Sequence, residues 1–194
     1  HGSNCNTEIG ILYFLPGGAH NVANDKTKHL VRKWVPRVLR ATAPRNSTKK
    51  DWIVFRVAEL YLNYAEALNE YYETPPKEAF DAVLKVRERS GMPGFPSTLN
   101  KEQFREKLRR ERAVELAYED HRFWDIRRWL IADDEGVMKG AMYGLQLSAV
   151  TGAPGKVHYK PYVFENRLWS DRSYLHPIKQ TEIDKGYMLQ NPGW

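Results

Sequence analysis

The strongest pattern in the chain runs from Trp52 to Tyr72. On a helical wheel, Arg56, Glu59, Asn63, Glu66 and Glu70 gather in one arc of about 80°. Nearly everything else there is apolar, including Ile53, Val54, Val57, Leu60, Tyr61, Leu62, Tyr64, Leu68 and Tyr71. Ala58, Ala65 and Ala67 are small enough to admit a neighbouring helix. So narrow a polar arc predicts an inner helix of a stack, covered on two sides. Thr74-Pro75-Pro76 then opens a second helix, with Thr74 suited to the N-cap and Pro75 to the first helical position. Its apolar stripe is Ala79, Phe80, Val83 and Val86. Gly91 is placed to end it in the left-handed conformation, with Pro93 blocking continuation. The two helices form an αα-hairpin, the unit of helical-repeat stacks.

Asn100 and Gln103 carry the spacing of a capping box for a third helix. It is predicted to reach about Leu130 with a break near Asp120. Leu108, Leu116, Phe123, Ile126 and Leu130 share one arc of its wheel, and Arg112, Glu115 and Glu119 fall in or beside it. A charge on an apolar face must be paired, since leaving it bare costs several kcal/mol. A partly buried structural network of Arg112, Glu115, Glu119 and Arg122 is therefore expected.

The remaining pattern is weaker. Residues 1–50 read as an irregular covering segment, with a short strand within Leu30–Leu39 and a polar loop over Thr42–Lys50. Residues 51–131 read as the helical core and 132–194 as a loop-rich C-terminal segment. Within that segment, five glycines mark 132–161 as one long loop, and Tyr159–Trp169 reads as extended. Ile178–Lys185 reads as a helical turn capped by Thr181. The fold class is mainly α: a helical-hairpin stack with long irregular loops and room for a small β ribbon.

The net charge of +6 is spread among interleaved acids and bases, with no basic tail and no aromatic-basic motif, so nucleic acid is not the expected partner. No run approaches the roughly 20 apolar residues of a membrane span. No apolar leader precedes Cys5, the sole cysteine, which permits no internal disulfide. The six histidines are scattered without ligand spacing, so no metal is expected. Glu111, Glu115 and Glu119 before His121 lack the Glu-x-x-His of a di-metal site, because Tyr118 stands three residues before His121. No glycine-rich phosphate loop is present, and no cofactor is expected. Glu119 and Asp125 allow a glycosidase pair to be imagined, against the simpler reading as paired charges. Six Trp and eleven Tyr are a rich supply of rings that stack on sugar faces. Trp34, Trp52, Tyr143, Tyr162 and Trp169 lie near or in loops and are the candidate ligand-binding aromatics, each weighed against simple packing.

Four ordered motifs carry a resemblance. F-R-V-A-E-L-Y-L-N-Y-A-E-A-L-N-E, V-L-K-V-R-E-R-S-G-M-P, R-R-E-R-A-V-E-L-A-Y-E-D-H-R-F-W-D-I-R-R-W and the ending Y-L-H-P-I-K-Q-T-E-I-D-K…L-Q-N-P-G-W together resemble the SusD/RagB family. The resemblance covers about residues 50–130 and 165–194. It implies a tetratricopeptide-like stack and the C-terminal portion of a longer surface lipoprotein of a Bacteroidetes-type outer membrane. Such proteins are non-catalytic: they bind a glycan or other nutrient and act with a TonB-dependent transporter. The leader and lipid anchor would lie upstream, and Cys5 is not taken for the anchor. The alternative is an interaction scaffold that contacts the transporter without a ligand site of its own. A glycoside hydrolase is a distant third.

Overall fold

The structure, a computed structural model, describes Lys26, Thr27, Lys33, residues 53–153 and residues 156–194. The Leu30–Leu39 strand, the 42–50 loop, Cys5, Trp34 and Trp52 lie outside the described residues. The described residues are mainly helical with one two-stranded antiparallel sheet. The chain divides into two compact units, Lys33–Asp125 and His1–Arg32 with Ile126–Trp194.

The first unit holds α1 (Val57–Tyr71), α2 (Lys77–Glu88) and α3 (Lys101–Glu115). Helix α4 (His121–Arg128) begins in it and continues into the second. Helix α1 starts five residues later than the pattern suggests, with Arg56 extended at its N-cap. The β-branched pair Ile53-Val54 and the lack of a capping side chain give the earlier residues little reason to be helical. Helix α2 starts after the second proline, with Pro76 and not Thr74 at the N-cap. Pro76 disfavours helical backbone at Pro75, so the pair holds the chain extended before the helix begins. Its end follows the glycine rule. Gly91 takes φ +69°; its N–H donates to the Glu88 carbonyl at 2.9 Å, and that of Met92 to Arg87 at 3.1 Å. Those two bonds make a Schellman motif.

The Asn100–Gln103 capping box forms in both directions and starts α3. The break near Asp120 is a corner over Leu116–Asp120, in which Tyr118 and Asp120 both adopt left-handed backbone. Helix α1 packs on α2 and on α3. Leu62, Ala65, Ala79, Ala82, Val83, Val86, Phe104, Leu108 and Leu116 form the buried core. Phe80 and Phe95 meet Phe104 edge-on, with ring centroids at 4.9 and 5.7 Å.

Within these residues the cover of α1 is one-sided. Helix α1 is covered on its Leu62–Ala65–Asn69 side, while Val57, Leu60, Tyr61, Tyr64 and Tyr71 are exposed. Its charged arc is not the wet face either, since several members are tied to charges on other elements.

In the second unit, the segment read as one long loop is a hairpin of β1 (Gly140–Ala149) and β2 (Val157–Arg167). The glycines that suggested a loop have other uses. Gly140 and Gly152 take positive φ at the start of β1 and in the turn. At Gly144 a Cβ would collide with the Lys26 carbonyl oxygen, which accepts the Leu145 N–H at 2.9 Å. Glycine in this strand therefore marks a close approach of another backbone. A short 3-10 turn (Asp171–Tyr174) and α5 (Gln180–Ile183) follow. Lys179 stands at the N-cap position of the latter without a side-chain cap, and Thr181 lies inside it.

The C-terminal residues close on this unit. The Gln190 side chain accepts from the Ile178 N–H at 2.8 Å and donates to the Ile178 carbonyl at 2.9 Å. Asn191 donates to the His176 carbonyl. Trp194 donates its indole N–H to Arg172 and Leu175 carbonyls, beneath the Arg172 guanidinium.

Candidate functional site

Two groups of candidate residues emerge: a buried set of charges in the first unit and an aromatic surface on the ribbon of the second. The charges arise because α3 must end at the Leu116–Asp120 corner, leaving its last carbonyls without helical partners. Lys33 donates to the carbonyls of Glu115 at 2.7 Å and Ala117 at 2.9 Å. Arg56 donates to the Glu115 carbonyl at 2.6 Å. Cations at a helix C-terminus are also favoured by its dipole. Arg56 then bridges both acids, with Nη1 to Glu115 at 2.5 Å and Nε to Glu119 at 2.7 Å. Lys33 also pairs with Glu119, and Arg89 reaches Glu115 at 2.7 Å.

Arg112 belongs to an adjoining group. It pairs with Asp125 at 2.6 Å and donates to Asn63 Oδ1 at 2.5 Å, with Glu59 at 3.9 Å. Thus Glu115 and Glu119 come together around Arg56, and Arg112 faces Asp125. Arg122 is exposed, and no ion pair of it appears among the described residues. The sequence reading missed Arg56 and Asp125 as members. Arg56 stood in the arc taken as solvent-facing, and only its acidic partners 59 and 63 residues away reveal its place.

These charges bear on the imagined hydrolytic pair. Burial pushes the Glu119 carboxyl up, but Arg56 and Lys33 more than reverse this and hold it below the usual range. Burial lowers the Arg56 pKa, yet its hydrogen bonds to Glu119 and Glu115 outweigh that and raise it overall. A general acid needs a raised carboxyl pKa, which is the opposite of what Glu119 has. Asp125 is buried against Arg112. The geometry is that of structural ion pairs. No group of three metal-ligating side chains occurs among the described residues.

On the ribbon, pairing sets the faces. Tyr143 lies opposite Val163, Leu145 opposite Pro161 and Leu147 opposite Tyr159. A bulge between Met142 and Tyr143 places Phe164 as the extra residue of β2. Side chains of directly opposed residues share a face. Tyr143, Tyr159 and Val163 are therefore one exposed apolar face, with Leu147 buried at its far end. Tyr162 points the other way: it pairs with Gly144 and lays its ring against that glycine. Trp169 is half-buried, edge-on to Tyr174 at 5.2 Å and covered by the Arg127 guanidinium.

Of the three candidate aromatics among the described residues, only Tyr143 presents an open ring. Tyr159, two rungs along the same face, was not singled out from sequence. The alternation Tyr159–Pro161–Val163 was the available signal. Nearby, the Tyr174 hydroxyl accepts from the Ala132 N–H at 3.0 Å and donates to Asp133. Its pKa is raised by burial and by the Asp133 carboxylate, and Asp133 is correspondingly lowered. This bond closes the segment that leads into the ribbon.

No helix among the described residues is long and apolar enough to cross a membrane. The SusD family model matches residues 3–194. SusD-like protein P25 of Formosa agariphila is 40% identical over 95 residues, which are 47% of this chain and 18% of that protein. The crystal structure of a SusD-like protein from Bacteroides fragilis aligns with a TM-score of 0.64 and 34% identity over 75% of this chain and 26% of that one. A SusD homolog from Bacteroides thetaiotaomicron aligns with a TM-score of 0.53 and 31% identity over 75% of this chain and 28% of that one. The chain thus spans less than a third of each relative's length.

Proposed function

The chain belongs to the SusD family, and from that premise we propose that it is the C-terminal portion of a nutrient-capture protein at the outer-membrane surface. The polypeptide holds a glycan or other nutrient without altering it and passes it to a TonB-dependent transporter. Residues 51–131 serve as helical scaffold and residues 132–194 as a ribbon-borne surface. The carrying observation is the family match over residues 3–194. The ribbon supports the same reading at the level of chemistry. Tyr143 and Tyr159 are exposed on one face, and tyrosine offers both a ring for sugar C–H faces and a hydroxyl for hydrogen bonds.

A second reading is favoured by a separate observation. The exposed Val57–Tyr71 flank is apolar and suits a protein neighbour better than a sugar, as a scaffold without its own ligand site requires.

Affinity gel electrophoresis of the family-length polypeptide against a glycan panel separates the two. Retention by one glycan, weakened about tenfold by Tyr143→Ala with Tyr159→Ala, is expected from a ligand surface here. Retention unchanged by both substitutions assigns this region the scaffold role. Release of shortened glycan would overturn non-catalytic capture.

A further inference from the structure

The ribbon has a second face, turned away from Tyr143 and Tyr159. Three successive rungs lie on it: Gly144 opposite Tyr162, Gln146 opposite Lys160 and Ser148 opposite His158. Opposed side chains stand about 5 Å apart, and the next rung of the same face follows about 7 Å along the strand. Gln146, Ser148, His158 and Lys160 are all exposed. None of these four side chains has a hydrogen bond or ion pair among the described residues. The half-buried Tyr162 ring lies against Gly144, where a Cβ would come within 3.1 Å of it, and closes the row. Beyond that ring, Glu165 is taken up by Arg167 at 3.2 Å.

We propose that this face binds the carboxylate or sulfate groups of an acidic glycan, with Lys160 as the principal contact. The inference rests on the reading of the chain as part of a glycan-capture protein and names the class of glycan. Charge selects the ligand. Residues 143–164 include Lys156, His158 and Lys160 and not one Asp or Glu. Exposed cations elsewhere are matched locally: Lys77 by Asp81, Lys85 by Glu88 and Lys185 by Glu182. Lys160 has no such match among the described residues.

The positive run of the chain begins at the same ribbon. Residues 26–50 carry nine Lys and Arg and no acid, while the rest of the chain has 21 Lys and Arg against 24 Asp and Glu. Lys33 of that run is spent on Glu119, but Lys26, its first member, sits at the rim of β1, where its carbonyl accepts the Leu145 N–H.

The side-chain chemistry fits an anion better than a neutral sugar. A lysine ammonium only donates, and its hydrogen bonds are strongest to a charged oxygen. Gln146 and Ser148 both donate and accept, which suits the hydroxyls that flank an acidic group on a sugar ring.

The test is affinity gel electrophoresis of the family-length polypeptide in gels holding polygalacturonate or a sulfated galactan. Each gel is run beside its neutral counterpart, carboxyl-reduced or desulfated. The expected result is retention in an acidic gel, absent from its neutral counterpart and weakened about tenfold by Lys160→Gln. Lys107→Gln removes the same charge from an exposed position on α3 and should leave retention unchanged. Equal weakening by the two substitutions would be a diffuse response to net charge and overturns the proposal. So does retention that Lys160→Gln leaves intact, or equal retention in acidic and neutral gels. Absence of retention from both acidic gels overturns it too; the capture reading falls only if the wider glycan panel fails as well.

Discussion

Replacing Arg112 by methionine keeps most of the side-chain volume and removes the cation. The Arg112 and Asp125 side chains are each only 5% exposed and meet at 2.6 Å. Asn63 Oδ1 loses its donor at the same time. Removing one member of a buried pair costs about 3–5 kcal/mol, because the other charge stays desolvated. That is a change of about two to four orders of magnitude in the unfolding constant. The exposed pair of Lys77 and Asp81, 83% and 51% exposed, sets the contrast. Lys77→Met should leave the stability nearly unchanged, as removal of an exposed, solvent-screened pair does. Urea unfolding followed by far-UV circular dichroism reports on α1, α2 and α3 and measures both. The double variant Arg112→Met with Asp125→Leu should be more stable than Arg112→Met alone, since it no longer buries a charge lacking its guanidinium. If Arg112→Met costs no more than Lys77→Met, the ion pair is not the buried structural element argued above.

Acid should unfold the first unit through Glu119. Its folded pKa is depressed, so its contribution is complete above the unfolded value of about 4.3 and is lost as pH falls below that through the folded value. Glu119→Gln should flatten this acid limb, and an unchanged slope in an acid titration by circular dichroism would count against the assignment. Gly91→Ala should cost about 1 kcal/mol from backbone strain alone, because φ is +69° and nothing lies within 4 Å of the added methyl. Gly94→Ala, which meets only Leu84 at 3.4 Å, should be nearly neutral; equal losses in thermal melts would refute the reasoning.

Local rules in the sequence were readable because they act within a few residues. The Asn100–Gln103 box and the Gly91 terminator each close over a single turn of chain. The break before His121 was legible too, though its two left-handed residues, Tyr118 and Asp120, were not. What escaped was set by distant partners. Arg56 looked solvent-facing on its own wheel and is the centre of a network with residues 59 and 63 positions on. Gly144 looked like a loop residue until the Lys26 backbone was seen against it. Tyr143 was legible as an aromatic, yet Tyr159 on the same face becomes visible only once strand pairing is known.

The ribbon is also a sheet that resists growing. The Leu145 N–H points away from β2 to Lys26, so Leu145 and Pro161 form a pair that exchanges no ladder bonds. Position 161 would then present its N–H on the outer rim of β2, and proline has none to present. A stray strand arriving there finds a gap in the row of donors at its midpoint, flanked by Lys160. Proline and lysine on a rim are what keep open sheets from polymerising. Two strands carrying exposed tyrosines can therefore stay wet without seeding fibrils.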